Sequence, residues 1–122
     1  MKKFTFGTPE QLVPSRFCPD LRYTETAISY PVDAISFTCT ARGCLLTLPL
    51  AADEHIYGLG LQLKRFDLRG KKYTLRPNAD PIAPTGDSHA PVPFFVSTSG
   101  YGIYVDTARY AEFYFGANKR LE

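Results

Sequence analysis

The residues best suited to ligand binding lie in one proline-rich segment, residues 77–91, which reads PNADPIAPTGDSHAP. It holds two carboxylates, one amide and one imidazole, from Asp80, Asp87, Asn78 and His89. The carboxylate of Asp80 could accept hydrogen bonds from two neighbouring hydroxyl groups, and the amide of Asn78 could both donate and accept. Side chains of these types are also common in turns, where they bond their own backbone. The segment is therefore a candidate binding loop, with turn stabilisation as the alternative.

Asp87, Ser88 and His89 are adjacent, but they do not form a hydrolytic triad. Neighbouring side chains on an extended segment point to opposite sides, so these three cannot converge on one nucleophile. We expect Asp87 and His89 to face the same ligand as Asp80, or His89 to hold the loop against the rest of the domain. The other histidine is His55, and no residue near it in the sequence suggests a role.

The elements that must position this segment are short alternating runs, which predict β-strands. Three hairpins are expected, formed by residues 35–40 with 44–50, 66–69 with 73–76, and 92–98 with 101–106. Two further strands are expected at residues 56–61 and 111–116. The two glycines within residues 56–61 indicate a bulge or the close approach of another backbone.

About ten short strands predict an all-β fold, an antiparallel β-sandwich with little or no helix. One short helical turn is possible at Thr8–Leu12, with Thr8 as its cap. Residues 77–91 contain four prolines and one glycine, which excludes a regular element there. The predicted organisation is a single domain over residues 1–122 with a long loop at 77–91, and loops of this length are often functional.

Composition excludes several classes of function. The 14 basic and 12 acidic residues are too evenly balanced to indicate a nucleic-acid partner. No apolar run is long enough for a membrane helix, and the first residues are not a signal peptide, which predicts a cytoplasmic protein if this start is native. Three cysteines without a C-x-x-C pair predict neither a metal site nor a cofactor. Cys39 and Cys44 either face each other across a hairpin and could oxidise, or are small buried hydrophobes.

Three segments resemble family 31 of the glycoside hydrolases, the group that contains α-glucosidases and α-xylosidases. Residues 54–60 (EHIYGLG) resemble its E-x-x-Y-G-L-G segment, and residues 66–71 (FDLRGK) resemble the R-G hairpin that follows. Residues 93–103 (PFFVSTSGYGI) resemble its P-F-F-x-S-x-x-G-Y-G signature. The segments follow the family's order and cover about half of the chain, whereas residues 1–53 match no motif.

The resemblance implies a galactose mutarotase-like sandwich of the supersandwich type, preceding a catalytic (β/α)₈ barrel. Both catalytic carboxylates of the family lie on that barrel, which needs upward of about 200 residues. The chain is therefore expected to be a non-catalytic N-terminal fragment of an α-glycosidase, a hydrolase of O-glycosyl bonds. Its expected partners are the barrel of the same polypeptide and a carbohydrate.

The resemblance also implies that the long loop closes over the sugar pocket of the barrel. Asp80 and Asn78 are alternative matches to the family's single acidic position. Asp87 and His89 are separate candidates for substrate contact in the same loop. Arg76 and Pro77 stand where an aromatic residue commonly precedes the motif in the family.

Two alternative functions remain open from the sequence. The chain could be a free-standing carbohydrate-binding β-sandwich, in which tyrosines stack on sugar rings. It could also be an aldose 1-epimerase, which needs a general acid and base, typically Glu and His. Arginines 65, 69 and 76 either contact sugar or barrel or are solvated, salt-bridged strand residues. Tyrosines 101, 104, 110 and 114 either stack on sugars or form core and sheet surface.

Overall fold

The structure is a computed structural model that describes residues 24, 27, 29–62, 65–76, 90–107 and 109–117. The chain divides into two compact units, Met1–Pro49 and Leu50–Glu122. The described residues form a 3₁₀ helix at Val32–Ala34 and seven strands: β1 Ser36–Thr40, β2 Gly43–Thr47, β3 Ile56–Gly60, β4 Lys72–Leu75, β5 Pro91–Ser97, β6 Gly102–Tyr104 and β7 Ala111–Tyr114. The expected helical turn at Thr8 lies outside them.

All strand pairs among these seven are antiparallel, which confirms the predicted fold class. Within the described part of the chain, no helix has the length and apolar character needed to cross a membrane.

The first unit contains the hairpin of β1 and β2, as predicted. The turn residues Ala41 and Arg42 separate the strands, and Gly43 adopts a φ of +133°. Cys39 and Cys44 are direct cross-strand partners and form a disulfide. Both cysteines are exposed, so the alternative of small buried hydrophobes is wrong. They lie on the same face of the two-stranded ribbon as Phe37 and Leu46, which are half-buried.

The second unit contains a three-stranded sheet in the order β3, β5, β6. The hairpin of β5 and β6 is the one predicted across the Ser-Gly turn. The register between β3 and β5 shifts between Gly58 and Gly60, which confirms the predicted bulge. A Cβ at Gly58 would lie 2.6 Å from the Phe94 carbonyl oxygen, and one at Gly60 would overlap the carbonyl oxygen of Ala90. Only glycine permits the two backbones to approach this closely.

The predicted second hairpin, residues 66–69 with 73–76, is wrong. β4 pairs with β7, about forty positions further along the chain, in a separate two-stranded sheet. Residues 66–69 instead form a turn against β3, where the Leu68 amide donates to the Ile56 carbonyl at 2.8 Å. Leu68 is fully buried there. Residues 66–69 thus bury an apolar side chain against β3 and do not form the hairpin that the local pattern predicted.

The two sheets of the second unit pack through an aromatic cluster. Phe95 on β5 meets Phe115 at 5.0 Å and Phe113 on β7 at 6.2 Å between ring centroids, both edge to face. Among the described residues of the second unit, six apolar side chains are buried and form the core: Ile56, Leu59, Leu68, Leu75, Phe95 and Phe115. The inward side chains of both sheets therefore meet in one layer, the arrangement of a β-sandwich.

Candidate functional site

The four predicted substrate residues, Asn78, Asp80, Asp87 and His89, lie outside the described residues. The structure defines where their segment starts and ends: β4 ends at Leu75 in one sheet and β5 begins at Pro91 in the other. The segment thus connects the two sheets of the sandwich. Pro91, predicted as loop, is the first residue of β5.

The described polar residues converge on Glu54, whose side chain is buried with only 3% exposure. Its Oε1 atom accepts a hydrogen bond from the Ser97 hydroxyl at 2.5 Å and another from the Tyr101 hydroxyl. Its Oε2 atom accepts one from the Ala51 amide at 2.9 Å. Ser97 is the last residue of β5, Tyr101 directly precedes β6, and Ala51 lies in the segment that leads into β3. One carboxylate therefore links the ends of three strands of the same sheet.

Burial by itself raises the pKa of Glu54, because a low-dielectric surrounding disfavours the charged form. Hydrogen bonds from Ser97, Tyr101 and the Ala51 amide, together with the charge of Arg69, outweigh burial, and the pKa lies below its ordinary value. The carboxylate is ionised at neutral pH and both of its oxygens are occupied. Glu54 is therefore a structural anion and is unsuited to act as a general acid.

Arg69 completes this network from the neighbouring turn. Its Nη1 atom donates to the Ala51 carbonyl at 2.8 Å and to the Glu54 carbonyl at 2.5 Å. The guanidinium therefore holds the backbone that leads into β3. Of the alternatives for Arg69, contact with sugar or barrel or a structural role on the domain itself, these hydrogen bonds favour the structural role. Arg76, in contrast, is exposed and lies with its guanidinium carbon 5.9 Å from the Tyr110 ring centroid.

His55 has a partner that the sequence did not suggest. Its Nδ1 atom lies 2.6 Å from Asp67 Oδ2, and its backbone amide donates to Thr98 Oγ1 at 3.0 Å. The Arg69 amide donates to the other Asp67 oxygen at 3.0 Å. This amide, and next the His55 ring, lower the pKa of Asp67. The pair holds the turn after β3 to His55, the residue directly before that strand.

An epimerase site needs a glutamate and a histidine that converge on one sugar oxygen. Glu54 and His55 are adjacent, but the carboxylate points to Ser97 and Tyr101, whereas the imidazole points to Asp67. The described residues thus do not bring a Glu–His pair together. They also contain no group of His, Cys, Asp and Glu side chains that could hold a metal ion.

The outer face of β5 is apolar and accessible to solvent. Val92, Phe94 and Val96 alternate with inward residues and are 44%, 43% and 40% exposed. Tyr104, the cross-strand partner of Phe94 on β6, is 61% exposed. The four side chains form one continuous row that we call the β5 apolar face.

Sequence reasoning gave no role to Glu54 or Ser97 and left the roles of Arg69 and Tyr101 open. Glu54 opens the first motif, Arg69 stands in the second, and Ser97 and Tyr101 are two of the polar residues of the third. The structure brings all four into one hydrogen-bonded network. Their place in the three motifs was the available signal, although the motifs hold other polar residues as well.

The motifs agree with comparisons to known proteins. The model of the glycosyl hydrolase 31 N-terminal galactose mutarotase-like domain matches residues 29–113. Over 70 residues the chain is 31% identical to the alpha-xylosidase XylQ of Lactiplantibacillus pentosus. That alignment covers 57% of this chain and 9% of the relative, so the chain spans less than a tenth of the length of this curated relative.

Proposed function

Because the chain belongs to the family of glycosyl hydrolase 31 N-terminal galactose mutarotase-like domains, we propose that it is a non-catalytic accessory domain of an α-glycosidase. In this proposal the domain packs on a catalytic barrel and lends a loop to the barrel's sugar pocket. The observation that carries the proposal is the family match over residues 29–113, which includes β1 to β6 and all of β7 except its last residue, Tyr114. The similarity to an alpha-xylosidase makes α-xylosides the first substrates to test.

The proposed sugar contact is the segment between β4 and β5, with Asp80 foremost and Asn78, Asp87 and His89 beside it. The anchoring of both ends supports this role. The last described residue before the segment, Arg76, donates its amide to the Thr74 carbonyl at 3.0 Å. At the other end, the Ala90 carbonyl accepts the Leu61 amide at 3.3 Å. A loop whose ends are held on two packed sheets can present side chains at a defined position.

The β5 apolar face is the surface that we propose contacts the barrel. Four large apolar side chains in one exposed row favour contact with another protein surface, because their burial releases ordered water. The Glu54 network supports the same role, since it fixes the ends of β3, β5 and β6 and therefore keeps this face in one conformation.

Kinetics of the polypeptide that joins this chain to its barrel would test the proposal. Asp80→Ala should lower kcat/KM for an α-xyloside or α-glucoside about ten- to a hundredfold, the loss of one charged hydrogen bond. Asp53→Asn, an exposed carboxylate outside the segment, is the matched control and should leave kcat/KM unchanged. The 122-residue chain by itself should hydrolyse neither substrate.

Two results would contradict the proposal in different ways. Unchanged kinetics for Asp80→Ala would remove the loop from the pocket but leave the accessory assignment intact. Hydrolysis by the 122-residue chain itself, or a coding sequence without a barrel after Glu122, would overturn the accessory assignment.

A further inference from the structure

The outer face of the β4–β7 sheet carries a second group of exposed aromatic and charged side chains. Lys72 pairs with Tyr114 and Thr74 with Glu112 in the antiparallel register. One step further along both strands, the Arg76 guanidinium lies over the Tyr110 ring. We call this set, Lys72, Thr74, Arg76, Tyr110, Glu112 and Tyr114, the tyrosine strip. The alternating residues on the same strands, including Leu75 and Phe113, face the core.

Tyr110 is the most accessible aromatic ring of the tyrosine strip, with 75% of its surface exposed. The guanidinium carbon of Arg76 lies 5.9 Å from the ring centroid, a distance at which a cation attracts the π face. A ligand could therefore reach both the ring and the guanidinium donors. With 75% of its surface exposed, Tyr110 loses most of the burial that aromatic side chains usually gain.

Glu112 lies between the two tyrosines and is held in place from both sides. Its Oε1 atom lies 2.6 Å from Lys72 Nζ, and its Oε2 atom accepts the Tyr114 hydroxyl at 2.9 Å. Lys72 Nζ also lies 5.4 Å from the Tyr114 ring centroid. The hydrogen bond with Glu112, and next that with Tyr114, raise the pKa of Lys72, so Lys72 stays protonated at neutral pH.

We propose that the tyrosine strip binds a neutral oligosaccharide. Aromatic faces contact the C–H surfaces of sugar rings, while Arg76 donates to sugar hydroxyls and Glu112 accepts from them. Tyr110 lies directly before β7 and Tyr114 is the last residue of β7, so the two are separated by roughly 13 Å at a rise of about 3.3 Å per residue. The strip therefore suits a chain of several sugar units better than a monosaccharide.

This site is distinct from the loop of the proposed function, although the choice of sugar as the ligand rests on that function. The loop completes a pocket on another domain, whereas the tyrosine strip is complete within the described residues. It would hold a distant part of a polymeric substrate, or a neighbouring chain, while another part occupies the barrel. The two proposals therefore fail independently of each other.

The test is an NMR titration of the ¹⁵N-labelled 122-residue chain with maltotriose and with xylotriose. We expect shifts that saturate in the millimolar range and are confined to β4 and β7 and the residues next to them. Tyr110→Ala should weaken binding about fivefold or more, because it removes one stacked ring. Tyr110→Phe, which keeps the ring, should retain binding, and Phe66→Ala, an aromatic residue after β3 that is 85% exposed, should not change it.

Three outcomes would overturn the proposal. One is the absence of shifts with either sugar, and another is equal weakening by Tyr110→Ala and Phe66→Ala. The third is binding to heparin but not to neutral sugars, with an affinity that falls with salt, since this would identify the strip as an anion-binding surface. None of these results bears on Asp80, whose effect is measured by glycosidase kinetics.

Discussion

Replacing Glu54 with alanine tests the interpretation that the motif residues form a structural anchor. The substitution removes the acceptor of three hydrogen bonds, from Ser97, Tyr101 and the Ala51 amide. It also removes the negative charge near Arg69. The substitution should therefore lower the stability of the sheet of β3, β5 and β6 without touching any proposed sugar contact.

The magnitude follows from the burial of the partners. A hydrogen bond to a charged group contributes about 1.5–3 kcal/mol, and a donor left buried without a partner costs about 1–3 kcal/mol. Ser97 is only 9% exposed and cannot easily find water instead, whereas the half-buried Tyr101 can rehydrate. We therefore expect Glu54→Ala to lower the free energy of unfolding by about 3–4 kcal/mol, a large part of the 5–15 kcal/mol that is usual for a domain.

The assay is urea unfolding of the 122-residue chain at pH 7, followed by circular dichroism, with thermal unfolding as a second measurement. A loss of 3–4 kcal/mol should lower the melting temperature by roughly 10–15 °C. Asp53→Asn, an exposed carboxylate next in sequence, should change the free energy by less than about 0.5 kcal/mol. A loss below about 1 kcal/mol for Glu54→Ala, or an equal loss for both variants, would refute the anchoring role.

The pH dependence gives an independent check on the same carboxylate. The pKa of Glu54 in the folded chain lies below its ordinary value of 4.5, so the unfolded state binds the proton more tightly. The stabilisation is therefore fully present above that ordinary value and is lost as pH falls through the folded pKa. Between about pH 5 and pH 3, the wild-type chain should lose more stability than Glu54→Gln; parallel curves would contradict the argument.

Two further predictions concern the backbone and the disulfide. Gly60→Ala should destabilise the chain by more than about 2 kcal/mol, and Gly70→Ala by about 1 kcal/mol. Both glycines have a φ of +78°, but only at Gly60 would the added Cβ meet a carbonyl oxygen, that of Ala90. Equal losses of stability in urea unfolding would argue against the close approach of the two backbones at Gly60. Replacing both Cys39 and Cys44 with serine should lower the free energy of unfolding by at most about 2 kcal/mol, since the disulfide closes a loop of only about six residues. Equal stability of the oxidised and reduced wild-type chains in the same assay would show that the disulfide does not stabilise the hairpin.

Local patterns predicted several elements correctly because each depends on nearest neighbours. Alternation on both sides of a short turn predicted the hairpins of β1 with β2 and of β5 with β6. The two glycines of β3 predicted the bulge, since glycine in a strand has few other uses. The same reasoning predicted the wrong partner for β4. Its partner β7 is distant in sequence, and no local pattern specifies which of several apolar strands offers the better packed face.

The Glu54 network shows a related difference for polar residues. Its members, Glu54, Arg69, Ser97 and Tyr101, were visible in the sequence as polar positions of three motifs. Their convergence on one carboxylate depends on the turn that places residues 66–69 against β3 and on the pairing of β3 with β5. The disulfide was predicted only in part. The predicted hairpin made the pairing of Cys39 with Cys44 one of two alternatives, and the structure decided between them.

The sequence by itself determined the all-β class, two of the three predicted hairpins and the family, because alternation, turn residues and motif order are properties of neighbouring residues. Tertiary structure alone decided the partner of β4, the burial of Glu54 and the exposure of the tyrosine strip. Each of these depends on which side chains meet across strands far apart in sequence. The physical reason is that burial is a property of the packed structure. A tyrosine or carboxylate that is buried stabilises the fold, whereas one that is exposed to solvent is a candidate for binding a ligand.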